Sequence, residues 1–401
     1  MASYIQLFLS TLAILSAVAS LVIVGYLVRT ESKAPKFIDS VRSMNGKPLQ
    51  SSPIVSVIVA ARNEEKMVES CILSFLEQSY QNLEVIVVDD SSTDGTLEIV
   101  KNLSKKDGRV RAMEAGMKPE GWVGKTWPCW RGFEGSSGEL LVFADADSIY
   151  TPEIIEQCVK YVELKGIDLF SLGPRVRTKG IWAISVIPLV SGAINLLYPM
   201  QKVNDKKSKR AYVFGTFFLV RRNVYEKTGG HRQIRGEIVE DAAVANLVKT
   251  SGYNLRIERG TQFLSTVWED DFRSIFSGLE RVISSSVKGV GLISLLNAVF
   301  LFVVMIYPIA FLLGFGLYPH RDLTLILGAG ASVLNVISFL ALGGFELKTI
   351  TGKIGLNPLL YPLGGLVFIS AIVSTTIKIT QQRDLKWKGQ GYKLSDQKVT
   401  V

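Results

Sequence analysis

Residues 55–96 read VSVIVAARNEEKMVESCILSFLEQSYQNLEVIVVDDSSTDGT. Two β-branched runs, Ile54–Ala61 and Leu83–Asp90, flank a stretch from Glu64 to Gln78 whose apolar residues recur at helical spacing. Neither run alternates polar with apolar residues, so each reads as a strand covered on both faces, the signature of a parallel sheet between helices. The alternation continues with a helix at Thr96–Leu103, a strand at Arg109–Ala115, a Gly- and Trp-rich loop through Trp122–Trp127, a further helix, and the strand LLVFADAD at 140–147. The expected fold class is α/β: a mixed, mostly parallel sheet with helices on both faces.

Ligands of such sheets bind beyond the carboxyl ends of the strands. Three strands here end on polar residues: Arg62-Asn63-Glu64, Asp89-Asp90, and the pair Asp145 and Asp147. Two carboxylates one residue apart at a strand end suit a hard cation such as Mg²⁺ or Mn²⁺, which takes oxygen ligands and bridges phosphates. Taken alone, Asp-Xaa-Asp is common in solvated loops. Its weight comes from the convergence of the three strand ends.

Hydrophobic residues make up 48% of the chain, and the mean hydropathy is positive. The excess is local. Tyr4–Val28 is a nearly uncharged run long enough to cross a hydrocarbon core, and similar runs cover about 292–317, 323–345 and 359–379. The first run continues into Arg29, Lys33, Lys36 and Arg42 without a basic segment before it, which fits a signal anchor with the following residues on the cytoplasmic side. Ile181–Pro199 is also uncharged, but a crossing there would put Asp145 and Asp241 on opposite sides of the membrane. It reads as an interfacial or re-entrant helix, with Lys202, Lys206, Lys207, Lys209 and Arg210 on lipid headgroups. The expected organisation is an anchor at 1–28, a linker at 29–52, a cytoplasmic catalytic domain at 53–285, a membrane region at 286–380 and a basic tail at 381–401. Three C-terminal crossings would carry that tail outside, against the positive-inside rule. Either one stretch is re-entrant, or 291–318 and its neighbour do not both cross.

The net charge of +9 suits anionic headgroups and an anionic substrate. Two histidines, His231 and His320, leave almost no room for a histidine-built zinc or serine-hydrolase site. Cys71, Cys129 and Cys158 have no metal-binding spacing and read as reduced thiols.

VSVIVAARNEE followed by LEVIVVDDSSTDGT resembles the opening of family 2 glycosyltransferases, inverting enzymes of GT-A fold that use nucleotide sugars. The resemblance implies that Asp90 binds the nucleotide base and that Glu64 lies near base and ribose. It also implies that Asp145 and Asp147 hold Mg²⁺ or Mn²⁺ on the donor diphosphate. Read without it, Glu64 opens a helix and suits its dipole, while Asp90–Thr93 caps the next helix. In GWVGKTWPCWRG, Lys125 would reach the phosphates as a point charge; otherwise it is a solvated lysine. The segment YVFGTFFLVRRNVYEKTGGH resembles the element shaping the sugar and acceptor pocket, and Asp241 in V-E-D-A resembles the family's general base at a helix start.

Two features depart from the family. Phe272–Val282 lacks the Q-x-x-R-W of chain-extending members, although Arg273 or Arg281 remains available to phosphate, and Ala60 stands where many members have proline. The tail DLKWKGQGYKL, with Trp387, Lys388, Gly389 and Tyr392, is similar to the ending of bacterial carotenoid- and hopanoid-associated glycosyltransferases; as residues alone it equally reads as an interfacial anchor. The expected function is non-processive, inverting, metal-dependent transfer of a hexose from a nucleotide sugar (a UDP-sugar first) to a membrane lipid such as a carotenoid, hopanoid or glycerolipid. Its expected partners are that donor, that lipid and the bilayer, with no nucleic acid, and its place is the cell membrane as a multi-pass protein. The alternatives are transfer to a polyprenyl phosphate, with Arg221, Arg222, Arg232 and Arg235 holding the phosphate, and a catalytically silent membrane scaffold.

Overall fold

The computed structural model describes residues 2–49, 51–178, 180–268, 271–287, 291–317, 322–352, 357–381, 383, 385–387 and 390–392. Its contacts form two units. A sheet unit holds Ala34–Arg177 and Tyr198–Val267, and a helical unit holds Met1–Lys33, Thr178–Leu197 and Trp268–Trp387.

The strands of the sheet unit are β1 (Val55–Ala61), β2 (Leu83–Asp89), β3 (Val110–Glu114), β4 (Leu140–Asp145), β5 (Ser148–Tyr150), β6 (Leu169–Gly173), β7 (Arg175–Thr178), β8 (Phe217–Arg221), β9 (Leu255–Arg259) and β10 (Leu264–Trp268). Seven of them form one sheet in the order β3-β2-β1-β4-β8-β6-β9, and β5, β10 and β7 form a smaller one. β1, β2, β3 and β4 run parallel, and β8 runs antiparallel to both of its neighbours. This is the mixed, mostly parallel sheet expected.

The period of two along each strand divides the core. Val55, Val57, Val59, Val85, Val87 and Val142 pack on one face with the helices Val68–Leu76 and Ile154–Lys165. Ile58, Leu141 and Phe143 pack on the other with Cys129, Val244 and Tyr225. Burial on both faces removed the alternation that would otherwise mark these strands as half-exposed.

The stretch expected to be a linker is partly folded. A helix, Phe37–Ser43, drives the fully buried Phe37 against Tyr161, Phe170 and Phe263, with ring centroids at 5.7, 5.3 and 4.9 Å. Pro35 accepts from the Arg259 amide at 2.7 Å. One aromatic side chain with a core to enter suffices to order a segment whose composition is otherwise that of a loop.

The helical unit contains helices at Ala2–Ser32, Ile181–Leu197, Phe272–Val287, Leu323–Thr351 and Tyr361–Thr380. A further run, Gly291–Leu301, passes through a π-helical turn at Phe302–Ile306 into Tyr307–Leu317. Among the described residues, five stretches are long and apolar enough to cross a membrane: Tyr4–Ser32, Ile181–Asn204, Gly291–Leu317, Leu323–Thr351 and Pro358–Thr380. Ser16 donates to the Val303 carbonyl at 2.9 Å and Tyr307 to that of Leu9 at 2.7 Å, so the first helix lies antiparallel to Gly291–Leu317. It lies parallel to Leu323–Thr351, because Asn335 donates to Ser16 at 2.8 Å while Asn195 bridges Glu31 and Glu346 at 2.9 and 3.5 Å. Of the tail motif, Lys388 and Gly389 lie outside the described residues.

Gly138 shows how tightly β4 is seated. A Cβ there would lie 2.5 Å from the Ser56 nitrogen and 2.7 Å from the Ile54 carbonyl oxygen, both backbone atoms. Gly138→Ala is expected to destabilise the protein by about 2 kcal/mol through overpacking. Gly108→Ala, with open space around its Cβ position, should leave the melting temperature of the detergent-solubilised protein unchanged. Equal melting temperatures for the two variants would contradict this account.

Candidate functional site

The register of the central strands builds the site. Ala61 pairs with Asp89 and Ala60 with Asp145, so the carboxyl ends of β1, β2 and β4 finish level. β8 enters from the same edge, with Phe217 opposite Ala144, and brings the preceding Gly215 and Thr216 there. Arg62, Glu64, Asp90, Asp145, Asp147 and the loop before β8 therefore meet at one edge.

The loops after β1 and β2 are knitted together. Asn63 Oδ1 accepts from the Thr93 amide at 2.8 Å, the Ser92 hydroxyl accepts from the Asn63 amide at 3.0 Å, and Thr96 Oγ1 accepts from the Glu64 amide at 2.7 Å. Asn63 and Ser91 adopt φ of 54° and 60°, in the left-handed region, and Asn63 is held there by its bonds to Ser92 and Thr93. Asp90, buried, receives Lys118 Nζ at 3.2 Å and lies 3.9 Å from Arg62 Nη1, while Arg62 also donates to the Asp90 carbonyl at 2.6 Å. Lys118 reaches the Gly124 carbonyl as well, at 2.9 Å. Sequence reasoning did not single out Lys118, which lies ahead of the Gly- and Trp-rich stretch Trp122–Trp127.

Lys125 lies on Asp145, with Nζ 2.5 Å from Oδ1. Burial alone would lower the ammonium pKa, but Asp145, with Cys129 and Glu240, outweighs it and holds the group above its ordinary value. Asp147 Oδ1 accepts from the hydroxyls of Ser148 and Thr266, each at 3.2 Å; β10 supplies the latter. Asp147, Asp145 and Glu64 all act on one thiol, Cys71, whose pKa is pushed up first by burial and then by these three carboxylates. The electrostatics thus gather the residues that the strand ends had pointed to.

Asp241 sits in the first turn of the helix Glu240–Thr250. Its Oδ2 accepts from the Gly215 amide at 3.2 Å and its Oδ1 from the Ala242 amide at 2.7 Å. The next residue along, Thr216, accepts through its carbonyl from Tyr150 at 2.7 Å, and the same phenol lies 3.5 Å from the Asp145 carbonyl. Asp241 is tied in this way to the Asp145 strand end. Two of the arginines considered for an acceptor phosphate are engaged elsewhere: Arg221 pairs with Glu163 at 2.7 Å, and Arg222 donates to the Gly138 carbonyl and the Ser136 hydroxyl. Among the described residues there is no cluster of three or more His, Cys, Asp or Glu side chains arranged for a metal. A cation here would rest on the two carboxylates of Asp145 and Asp147 and on oxygens of a bound diphosphate.

Residues 56–229 match the model of the family described as Glycosyl transferase family 2. The chain is 25% identical over 242 residues to 4,4'-diaponeurosporenoate glycosyltransferase of Staphylococcus aureus strain USA300, a match spanning 59% of this chain and 62% of that relative's length. Among solved structures, a mannosyltransferase from Pyrobaculum calidifontis in complex with GDP-Man and Mn²⁺ is similar with a TM-score of 0.50 and 16% identity, covering 92% of this chain and 98% of that one. That likeness is one of fold.

Behind the site, His231 is fully buried against Phe143, its Nδ1 2.7 Å from the Tyr225 hydroxyl. Burial, then the nearby Lys125 charge, lowers its pKa from 6.5 to about 3. The unfolded chain therefore binds a proton that the folded one refuses. Stability present above pH 6.5 is lost as the pH falls toward 3, with a limiting slope of about 1.4 kcal/mol per pH unit. His231→Gln should flatten the dependence of unfolding free energy on pH between these limits. An unchanged slope in denaturant titrations would count against a neutral buried imidazole.

Proposed function

We propose, on the premise that this chain belongs to glycosyl transferase family 2 through residues 56–229, that it moves a hexose from a nucleotide sugar to a membrane lipid with inversion at the anomeric carbon. The observation that carries the reading is the level register of β1, β2 and β4, which brings Asp90, Asp145, Asp147 and the Gly215 loop bonded to Asp241 to one edge. Asp90, an acceptor flanked by the cations Lys118 and Arg62, suits a base edge that offers N–H beside carbonyl oxygens, as uracil does. Glu64 stands beside it for the ribose. Asp145 and Asp147 would hold Mg²⁺ or Mn²⁺, which supplies charge neutralisation for the leaving diphosphate.

Asp241 is the general base in this reading. Two backbone amides orient its carboxylate. It takes the proton of the acceptor hydroxyl as that oxygen attacks the anomeric carbon from the face opposite the diphosphate. A carotenoid-type, hopanoid or glycerolipid acceptor is supported by the five apolar helices and by the activity named for the S. aureus relative. Because the match spans 62% of that relative, sugar and acceptor are parts of this proposal. Transfer to a polyprenyl phosphate is less favoured, since Arg221 and Arg222 are bonded to the sheet unit's own groups. A silent scaffold would have no need for these carboxylates.

Within the helical unit, the packing supports an arrangement in which Tyr361–Thr380 ends on the side where the first helix ends at Ser32, the side that Arg29, Lys33 and Lys36 favour as cytoplasmic. Gly291–Leu317 leads away from the Ser32 end of the first helix, and Leu323–Thr351 returns to it. Tyr361 follows Thr351 by ten residues and already stacks on Phe339, about 18 Å up the returning helix. From there Tyr361–Thr380 descends, so that Lys378 pairs with Glu280 and Thr376 lies beside Gly291. The last apolar stretch then enters without crossing. Ile181–Leu197 starts beside Phe272 and ends beside Glu31 and Glu346. These contacts favour a helix whose two ends lie at one membrane face, as its sequence suggested.

Detergent-purified protein incubated with labelled nucleotide sugars and a total lipid extract should produce a labelled lipid when Mn²⁺ is present. No labelled lipid and no hydrolysis of any donor would end the enzyme reading. Asp241→Asn should abolish transfer, a loss of about 10²-fold or more, while sparing donor binding, whereas Asp147→Ala should weaken metal-dependent donor binding. Full activity in Asp241→Asn would remove it as the base. For topology, the three native cysteines are buried, so added ones can be read. Ser395→Cys should resist an impermeant maleimide in intact cells and react after lysis, and Leu317→Cys should react in intact cells; labelling of Ser395→Cys in intact cells would overturn the re-entrant arrangement.

A further inference from the structure

Both lysines of the loop between β3 and the helix Thr126–Glu134 are bonded to carboxylates assigned above to the donor. Lys118 binds Asp90 and Lys125 binds Asp145. The second contact has a consequence for the metal. A divalent cation approaching Asp145 meets an ammonium at 2.5 Å from Oδ1, and at Asp147 it meets an oxygen already accepting two hydroxyls. Displacing Lys125 without giving it another anion would leave a buried cation uncompensated, which costs more than the contact gains. Asp145 is only 33% exposed and Lys125 14%, so water does little to relieve this.

A diphosphate changes the balance. It offers Lys125 a replacement anion within reach of its flexible four-carbon stem, and the backbone before it is open, since nothing lies within 4 Å of a Cβ position at Gly124. The ammonium can move from carboxylate to phosphate while the cation takes the carboxylate, so that neither Lys125 nor Asp145 is left without an opposite charge.

We propose that Lys125 is an exchangeable counter-ion, a positioning residue that holds Asp145 against free divalent cations and releases it to a cation arriving with a nucleoside diphosphate. This rests on reading Asp145-Ala-Asp147 as the donor-diphosphate clamp. Metal alone binds weakly, and metal with nucleotide binds as a unit.

The test is Mn²⁺ binding to the full-length protein in detergent, followed by the electron paramagnetic resonance signal of free Mn²⁺, with no activity measured. Lys125→Met should bind Mn²⁺ alone about tenfold more tightly than wild type, and Lys125→Arg, which keeps the charge, should bind it as weakly as wild type. The proposal is overturned if Lys125→Met binds no more tightly, or if Lys125→Arg matches Lys125→Met. Should Lys125→Met not fold, wild type decides: saturating UDP must raise bound Mn²⁺ about tenfold at fixed free Mn²⁺, and no rise overturns the proposal. Labelled UDP that binds no variant, with or without Mn²⁺, would instead remove the donor-site reading itself. UDP binding with an unchanged Mn²⁺ affinity in Lys125→Met removes the counter-ion alone.

Discussion

The parallel pairing of β1 with both β2 and β4 is the constraint on which the rest depends. Ala61 opposite Asp89 and Ala60 opposite Asp145 align three strand ends from segments far apart in the chain. A slip of one residue in either pairing would send the side chains of that strand to the opposite faces of the sheet. It would also move a donor-binding carboxylate by a full residue along the edge. The fully buried Val57, Ile58, Val85, Ile86, Leu141 and Val142 resist that slip from both faces. Gly138 marks the closeness of the fit where β4 begins.

What the register assembles is a concentration of negative charge that the same domain answers with lysines and arginines. Asp90 is met by Lys118 and Arg62, Asp145 by Lys125, and Asp147 by two hydroxyls. Asp241 is met only by backbone amides among the bonds described. Those amides fix the direction of the carboxylate at the start of the helix Glu240–Thr250.

Much of this was legible in residue order. The strands and helices of 54–147 follow from uninterrupted β-branched runs and helical spacing, and the polar strand ends mark the edge proposed to bind ligand. The roles of Asp90, Asp145, Asp147 and Asp241 came from resemblance to a family, and the structure supplies the contacts that make those roles chemically reasonable. Less legible was Lys118, because a lysine in a loop has no pattern until the Asp90 strand is beside it. Phe37 was hidden for a similar reason: a single aromatic in a polar stretch does not announce a helix, and its ordering comes from three rings contributed by residues 161, 170 and 263. The apolar stretches showed their length but not their direction. Interhelical bonds such as Ser16 to Val303 and Tyr361 against Phe339 supplied that.

Over residues 54–147 the sequence by itself determined which segments are strands, which are helices, and which carboxylates stand at strand ends, because period and β-branching act locally. It also determined that the chain carries apolar helices of membrane length. Only the tertiary structure decided the strand order, the level ends of β1, β2 and β4, and the pairing of each acid with its cation. Those depend on contacts between residues widely separated in the chain, and a local pattern holds no record of which distant partner a side chain will meet. Asp145 shows the difference: its place at the end of a strand can be read from LLVFADAD, whereas its bond to Lys125 exists only once the sheet and the helix that starts at Thr126 are packed together.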